Sequence, residues 1–212
     1  MIKAILFDFD GTLVNSAPGI VKTMEQTYRT LGMPIPSEAD MIATIGLPLR
    51  QALQLLNKLS DADADLATDT YRKLFPQFEM QYVTLFPQVV NTLEQLKEKG
   101  IRLAIVTSRD TSSLRLITRH RDLDGFFETC VTGADGIAPK PAPDMVLTLL
   151  ERMQLKADEV LVVGDTTFDI EMGNRAHCRT IAVTYGNHTP EKLATAHPAR
   201  MIDGFEQLLE EI

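Results

Sequence analysis

Cysteine is scarce: Cys130 and Cys178 are the only two in 212 residues, and they form no CxxC or CxxH spacing. That argues against a thiolate metal centre or a disulfide framework and leaves two buried thiols in a reducing compartment as the expected state. Long apolar runs are missing too. The opening stretch holds one lysine and breaks at Asp8, and no later run has the length of a membrane span. The expected setting is therefore cytoplasmic, away from the membrane. Positive charge is not concentrated anywhere: 21 Lys and Arg stand against 29 Asp and Glu, for a net charge of -8. Nothing here suits nucleic acid or an anionic lipid surface. His120, His177, His188 and His197 fall in no metal-ligand spacing, and RHR at 119–121 reads as a solvated helix end. Neither GxxxxGK[ST] nor GxGxxG occurs, so a nucleotide held by a glycine-rich loop is not expected.

What is present is a rhythm. Four short apolar runs, AILF (4–7), IRLAIVT (101–107), EVLVVG (159–164) and RTIAVTYG (179–186), are continuous rather than alternating. Strands buried on both faces of a parallel sheet have this character. Helical periods lie between them: Val89, Leu93 and Leu96 before Gly100, then Met145, Leu149 and Met153, with Thr189–Pro190 as a cap and first turn. Strands alternating with helices predict an α/β fold, a doubly wound, Rossmann-like parallel sheet.

Residues 16–84 interrupt the rhythm. They hold no comparable strand but three helical patterns: Ile20, Met24, Tyr28 and Leu31; Ile42, Ile45, Leu49, Leu53 and Leu56; and Leu66, Thr70, Leu74 and Phe78. The expected organisation is a core of residues 1–15 and 85–212 with an all-helical insert at 16–84, hinged at Asn15–Pro18 and Tyr82–Pro87. Within the insert, DADAD (61–65) looks like the start of a calcium loop, but Leu66 and Arg72 stand where glycine and glutamate belong. A helix start capped by Ser60 is the better account.

Ligands of an open parallel sheet bind outside the carboxyl ends of its strands. The first run ends in Asp8 and Asp10, the second in Thr107–Ser108–Arg109, and the third in GDTTFD, which carries Asp165 and Asp169; Lys140 lies in the proline-stiffened KPAPD. Each has a plain structural account. Asp10–Gly11 is a turn signal, Thr107 and Ser108 can lead into a helix capped by Asp110, Thr166 and Asp169 fit a capping box, and Lys140 can be a solvated lysine. Together they gather carboxylates on one rim, where repulsion calls for a cation, and hard oxygens suit Mg²⁺. A hydroxyl and a lysine beside them suit a phosphate.

The order DFDGTL (8–13), VTS (106–108), Lys140 in KPAPD and GDTTFD (164–169) resembles the four motifs of the haloacid dehalogenase superfamily. The likeness runs over nearly the whole chain and is strongest to phosphoglycolate phosphatase-like and β-phosphoglucomutase-like members. It implies an α/β core with a helical cap and a Mg²⁺-dependent phosphatase acting on a small phosphomonoester through an aspartyl-phosphate. Asp8 would be the nucleophile, and Asp10 the acid and then the base. Asp8, Asp165 and the Asp10 carbonyl would hold the metal, with Asp169 behind them acting through water or Lys140. Thr107, Ser108 and Lys140 would hold the phosphate. The chain departs from many relatives at Asn15, where they carry aspartate, and places Arg109 directly after the phosphate-binding pair.

Selectivity would come from the cap, where IGLPLRQAL (45–53) breaks at Gly46 and Pro48 and offers Arg50 to a carboxylate or second phosphate. The expected partner is a small phosphate ester, with the chain a monomer or homodimer. A phosphomutase of the β-phosphoglucomutase type is the nearest alternative reading, and a non-catalytic phosphate-binding module a second.

Overall fold

The computed structural model describes residues 1–212, the side chains at 79 and 80 excepted. Strand Ala4–Phe7 (β1) is followed by a two-residue strand, Val14–Asn15 (β2). Four helices come next, Ala17–Thr30 (α1), Glu38–Ala43 (α2), Leu49–Asn57 (α3) and Asp61–Tyr82 (α4), then a second short strand, Thr84–Leu85 (β3). From there helices and strands alternate: Val89–Glu98 (α5), Arg102–Val106 (β4), Thr111–His120 (α6), Thr129–Val131 (β5), Asp144–Met153 (α7) and Val160–Gly164 (β6). Thr167–Arg175 (α8), Arg179–Val183 (β7), Pro190–Ala194 (α9) and Arg200–Ile202 (β8) complete the series, and a 3-10 turn spans Phe205–Glu210.

Six strands form one parallel sheet in the order β5-β4-β1-β6-β7-β8. The α/β class expected from the four apolar runs is what the chain adopts. Every residue of β1 is buried, because alternate side chains enter cores on opposite faces. Ile5 and Phe7 pack with Leu93 and Leu96 of α5, whereas Ala4 and Leu6 pack with Met145 and Leu149 of α7. Each fully buried leucine contributes roughly 1.5–3 kcal/mol. After β1 the chain builds outward through β4 and β5, then returns to build β6, β7 and β8 on the other side. The reversal at β1 opens a crevice at its carboxyl end.

Helices α1 to α4 carry their own core, with Ile20, Met24, Tyr28, Met41, Ile45, Leu53, Tyr71 and Phe75 in one cluster. The Tyr28 hydroxyl donates to the Leu53 carbonyl at 3.0 Å, which satisfies a buried polar group and ties α1 to α3. Val14–Asn15 pairs antiparallel with Thr84–Leu85, so the two connections to the helical unit run side by side as a ribbon.

Two helical expectations need correction. The pattern from Ile42 to Leu56 is two helices, since Gly46, at φ +102°, and Pro48 stop α2 before α3 begins. On α4 the buried stripe is Ala64, Ala67, Tyr71 and Phe75, and Leu66 is 52% exposed. The stripe is shifted because alanines let α4 lie close to its neighbours while Tyr71 and Phe75 supply the bulk. Ser60 does cap α4, accepting from the Asp63 amide at 3.2 Å.

Candidate active site

The site is assembled where β1, β4 and β6 end. The Asp8 amide donates to the Val163 carbonyl at 2.8 Å and the Thr107 amide to the Val131 carbonyl at 3.0 Å, so the ladders hold both residues one step beyond their strands. Phe9 is fully buried between the two acids, and Gly11, at φ +87°, turns the chain immediately after Asp10.

Lys140 comes from the loop ahead of α7 and is 2% exposed. Its Nζ donates to Asp8 Oδ1 at 2.5 Å and to Asp169 Oδ1 at 2.6 Å. The other oxygen of Asp169 accepts from the Thr166 amide at 3.0 Å and the Thr166 hydroxyl at 2.6 Å. Asp169 therefore both caps α8 and holds Lys140. Asp165, fully buried, accepts from the Thr12 hydroxyl at 3.2 Å on Oδ1 and, on Oδ2, from the Asn187 amide and its Nδ2, each at 2.7 Å.

Oxygens of Asp8, Asp165 and Asp169 all lie within 4.8 Å of one another. Burial pushes the Asp8 carboxyl well above its ordinary range despite the Lys140 charge, and the neighbouring Asp169, Asp165 and Asp10 push the same way. Burial and then Asp169 push Asp165 up to about 7. Burial would lower Lys140, but Asp169 and Asp8 hold it above its usual value. Three carboxylates against one ammonium leave an excess of negative charge that a cation would offset. The donor set fits a hard divalent ion: its atoms are oxygens, and at Gly11 a Cβ would come within 2.1 Å of Asp165 Oδ2, so glycine is what keeps this side of the cluster open.

Asp10 is held differently. Arg109 Nε donates to Asp10 Oδ2 at 2.9 Å and Nη2 to Oδ1 at 2.5 Å, while the Ser16 hydroxyl donates to Oδ1 at 2.5 Å. Burial would raise this carboxyl, but the Arg109 charge and the Arg109 and Ser16 hydrogen bonds bring it below its ordinary value. The guanidinium carbon lies 5.0 Å from the centre of the Phe75 ring, so Arg109 spans from the sheet to the helical unit.

A cavity of about 620 Å³ opens between the two parts, with Asp8, Asp10, Thr107, Ser108 and Arg109 on the sheet side and the 44–50 loop among its residues on the helical side.

The family described as haloacid dehalogenase-like hydrolase matches residues 5–183. This chain belongs to that family. Among similar haloacid dehalogenase-like proteins, one named "Probable phosphatase IndB", from Dickeya dadantii, is 35% identical over 99% of this chain and 93% of its own. A phosphoglycolate phosphatase of Yersinia pestis is 32% identical over 100% of this chain and 93% of its own. Among solved structures, a haloacid dehalogenase-like hydrolase from Streptococcus pneumoniae superposes with a TM-score of 0.89 at 28% identity, covering 99% of this chain and 98% of that one. Membership and these relatives make the chain a phosphoric monoester hydrolase of the superfamily.

Within this haloacid dehalogenase-like site, Asp8, Lys140, Asp165 and Asp169 are brought together, with Asp10 beside them. Thr107 is buried at the cavity wall, its hydroxyl accepting from the Arg109 amide at 3.1 Å. Ser108 donates to the Gly46 carbonyl at 2.7 Å, a bond from the sheet to the helical unit. Arg50 lines the cavity, but its guanidinium turns to Asp65 at 2.5 Å and Asp61 at 2.9 Å on its own unit. Asp61 and Asp65 of DADAD thus serve as partners for Arg50, while Asp63 pairs with Ser60.

Asn187, Thr12 and Ser16 were not singled out from the sequence. Asn187 was within reach of the strand-end rule, since it follows the run RTIAVTYG. Thr12 and Ser16 carried no signal beyond lying near Asp10.

Proposed function

We propose that this chain is a Mg²⁺-dependent phosphatase of small phosphomonoesters that works through an aspartyl-phosphate on Asp8. The observation that carries the reading is Lys140 Nζ, buried and bonded to both Asp8 and Asp169, where Asp8 itself lines a cavity whose opposite wall is helical. Asp8, Asp165 and the Asp10 carbonyl are the groups that would hold the ion. When bound, Mg²⁺ would offset the negative charge of the acids and of the phosphate.

Asp8 attacks phosphorus as the P–O bond to the leaving alkoxide breaks, and Asp10 supplies that alkoxide with a proton. Water then attacks the phosphoryl group on Asp8, Asp10 takes its proton, and inorganic phosphate leaves. Lys140 and Thr107 orient the phosphoryl oxygens, and Lys140 reduces the repulsion between Asp8 and the approaching anion. With Arg109 and Ser16 on it, Asp10 is an ionised acceptor, the form that suits water activation. Protonating the leaving group requires Arg109 to withdraw and Asp10 to take up a proton from solvent before the first turnover; afterwards the proton taken from water restores the acid. Ser108 would reach the phosphate only by releasing Gly46, and Arg50 would reach substrate only by releasing Asp61 and Asp65.

The helical unit at 16–84 acts in this reading as a cap that restricts the site to small esters and excludes water. Phosphoglycolate and sugar phosphates are the proposed substrates, supported by the phosphoglycolate phosphatase relative, and the proposed setting is cytoplasmic. The test is phosphate release from a panel of such esters with and without Mg²⁺, for the wild type and Asp8→Asn. Release that needs both Asp8 and Mg²⁺ is expected. Equal release by Asp8→Asn would overturn the mechanism, and isomer formation from a hexose 1-phosphate in place of phosphate release would make the chain a mutase.

A further inference from the structure

We infer that Asn187 is a positioning residue for the cation site: it fixes the Asp165 carboxylate and its spacing from the Asp10 carbonyl, and so sets how tightly the acidic cluster takes Mg²⁺. The inference rests on the phosphatase reading above, which assigns Asp165 and the Asp10 carbonyl to the ion.

Asn187 follows β7, and the pairing of Ala182 with Gly164 brings the segment after β7 alongside the segment after β6. There one residue supplies two donors to one oxygen, its backbone amide and its Nδ2 both reaching Asp165 Oδ2 at 2.7 Å. Nδ2 also lies 3.4 Å from the Asp10 carbonyl oxygen. A single amide therefore touches two of the groups assigned to the ion. Its partly positive N–H groups hold the spacing of two oxygens that would otherwise repel.

Other contacts maintain the arrangement. The Tyr185 hydroxyl donates to the Thr12 carbonyl at 3.0 Å, pinning the loop after β7 to the loop after β1. Two glycines make room. A Cβ at Gly11 would come within 2.2 Å of Asn187 Nδ2, and one at Gly186 within 2.3 Å of Asp165 Cβ. Bulk at either position would displace the amide or the carboxylate.

A ligand carboxylate already held in orientation loses less freedom when a cation binds, and partners of this kind commonly change metal affinity by about 10–100-fold. The test is titration calorimetry of Mg²⁺ into the full chain, wild type against Asn187→Ala, with the melting temperature of the metal-free proteins measured alongside. Mg²⁺ affinity is expected to weaken by about 10–100-fold, while the metal-free variant still melts in one cooperative transition, lowered only by the loss of the Nδ2 hydrogen bonds. Asn187→Leu, close in volume and lacking the donor, should do the same and decides the matter if the alanine variant does not fold. Unchanged Mg²⁺ affinity in the folded variant would overturn the inference and leave the phosphatase reading intact. A wild type that binds no Mg²⁺ would overturn both.

Discussion

Two aspartates separated by one phenylalanine end up in opposite electrostatic states, and the cause lies in their partners. Asp8 shares one lysine with another carboxylate among further acids, whereas Asp10 has a guanidinium fork and a hydroxyl. Their substitutions should differ accordingly. On the proposed aspartyl-phosphate route, Asp8→Asn is expected to lower kcat by about 10⁴-fold or more, because no covalent step would remain. Asp10→Asn should leave that step slow and let phosphoenzyme accumulate, detectable by intact-protein mass spectrometry after quenching. His188 gives a separate prediction for stability. It is buried, accepts from the Thr167 amide at 3.1 Å, and is lowered to about 4 by burial and then by Lys192. The unfolded chain protonates its histidine near 6.5, so between roughly pH 6.5 and 4 the unfolded state binds more protons and stability falls as pH falls. This amounts to about 2 kcal/mol between pH 7 and pH 5, and His188→Asn should remove that part of the slope in denaturant titrations at the two pH values.

At the scale of elements, Gly46 is where the helical unit meets the sheet. Its φ is +102°, its carbonyl accepts from Ser108, and a Cβ there would lie 3.3 Å from Phe168 and Thr166. Gly46→Ala should cost about 1–3 kcal/mol of local strain and lower kcat/KM roughly tenfold, with a smaller effect on overall melting. Leu53, fully buried against Tyr28, holds the unit itself. Leu53→Ala is expected to cost about 2–5 kcal/mol, and hydrogen exchange should show α1 and α4 losing protection before β1 and β6. Legibility in the sequence followed element length. β1, β4, β6 and β7 are continuous apolar runs and could be read directly, whereas β5 and β8, three residues each at the sheet edges, are too short to show a period. The stripe of α4 was misread because its buried positions include small alanines, while the exposed Leu66 imitates a core residue. Asp8, Asp10 and Asp165 could be grouped from the sequence because they follow apolar runs, and Lys140 and Asp169 because KPAPD and GDTTFD fall in order with them; the structure brings these side chains to one rim. Arg109 as the partner of Asp10 was not legible, since the two lie 99 positions apart with no local sign of contact.

For the whole molecule, the sheet and the helical unit touch across the cavity through Ser108 and Gly46 and stay joined by the β2–β3 ribbon. A ligand bound between them should stabilise both. Mg²⁺ with a phosphate analogue at about 100 times its dissociation constant is expected to add about 2.7 kcal/mol, read as a rise in melting temperature. Hydrogen exchange over residues 44–50 should slow at the same time, and Ser108→Ala should reduce that slowing.

The central place of β1 also bears on how the chain is made. Asp8 is synthesised before the rest of the sheet, yet its strand has no neighbour until β4 emerges, and its lysine lies 132 residues further on. The helical unit, by contrast, draws its apolar cluster from one continuous stretch and can pack as soon as that stretch is free. A chain halted after α4 would carry packed helices beside an acidic pair that has neither Lys140 nor Arg109 as partner, so on the proposed reading activity is expected only once β6 has paired with β1.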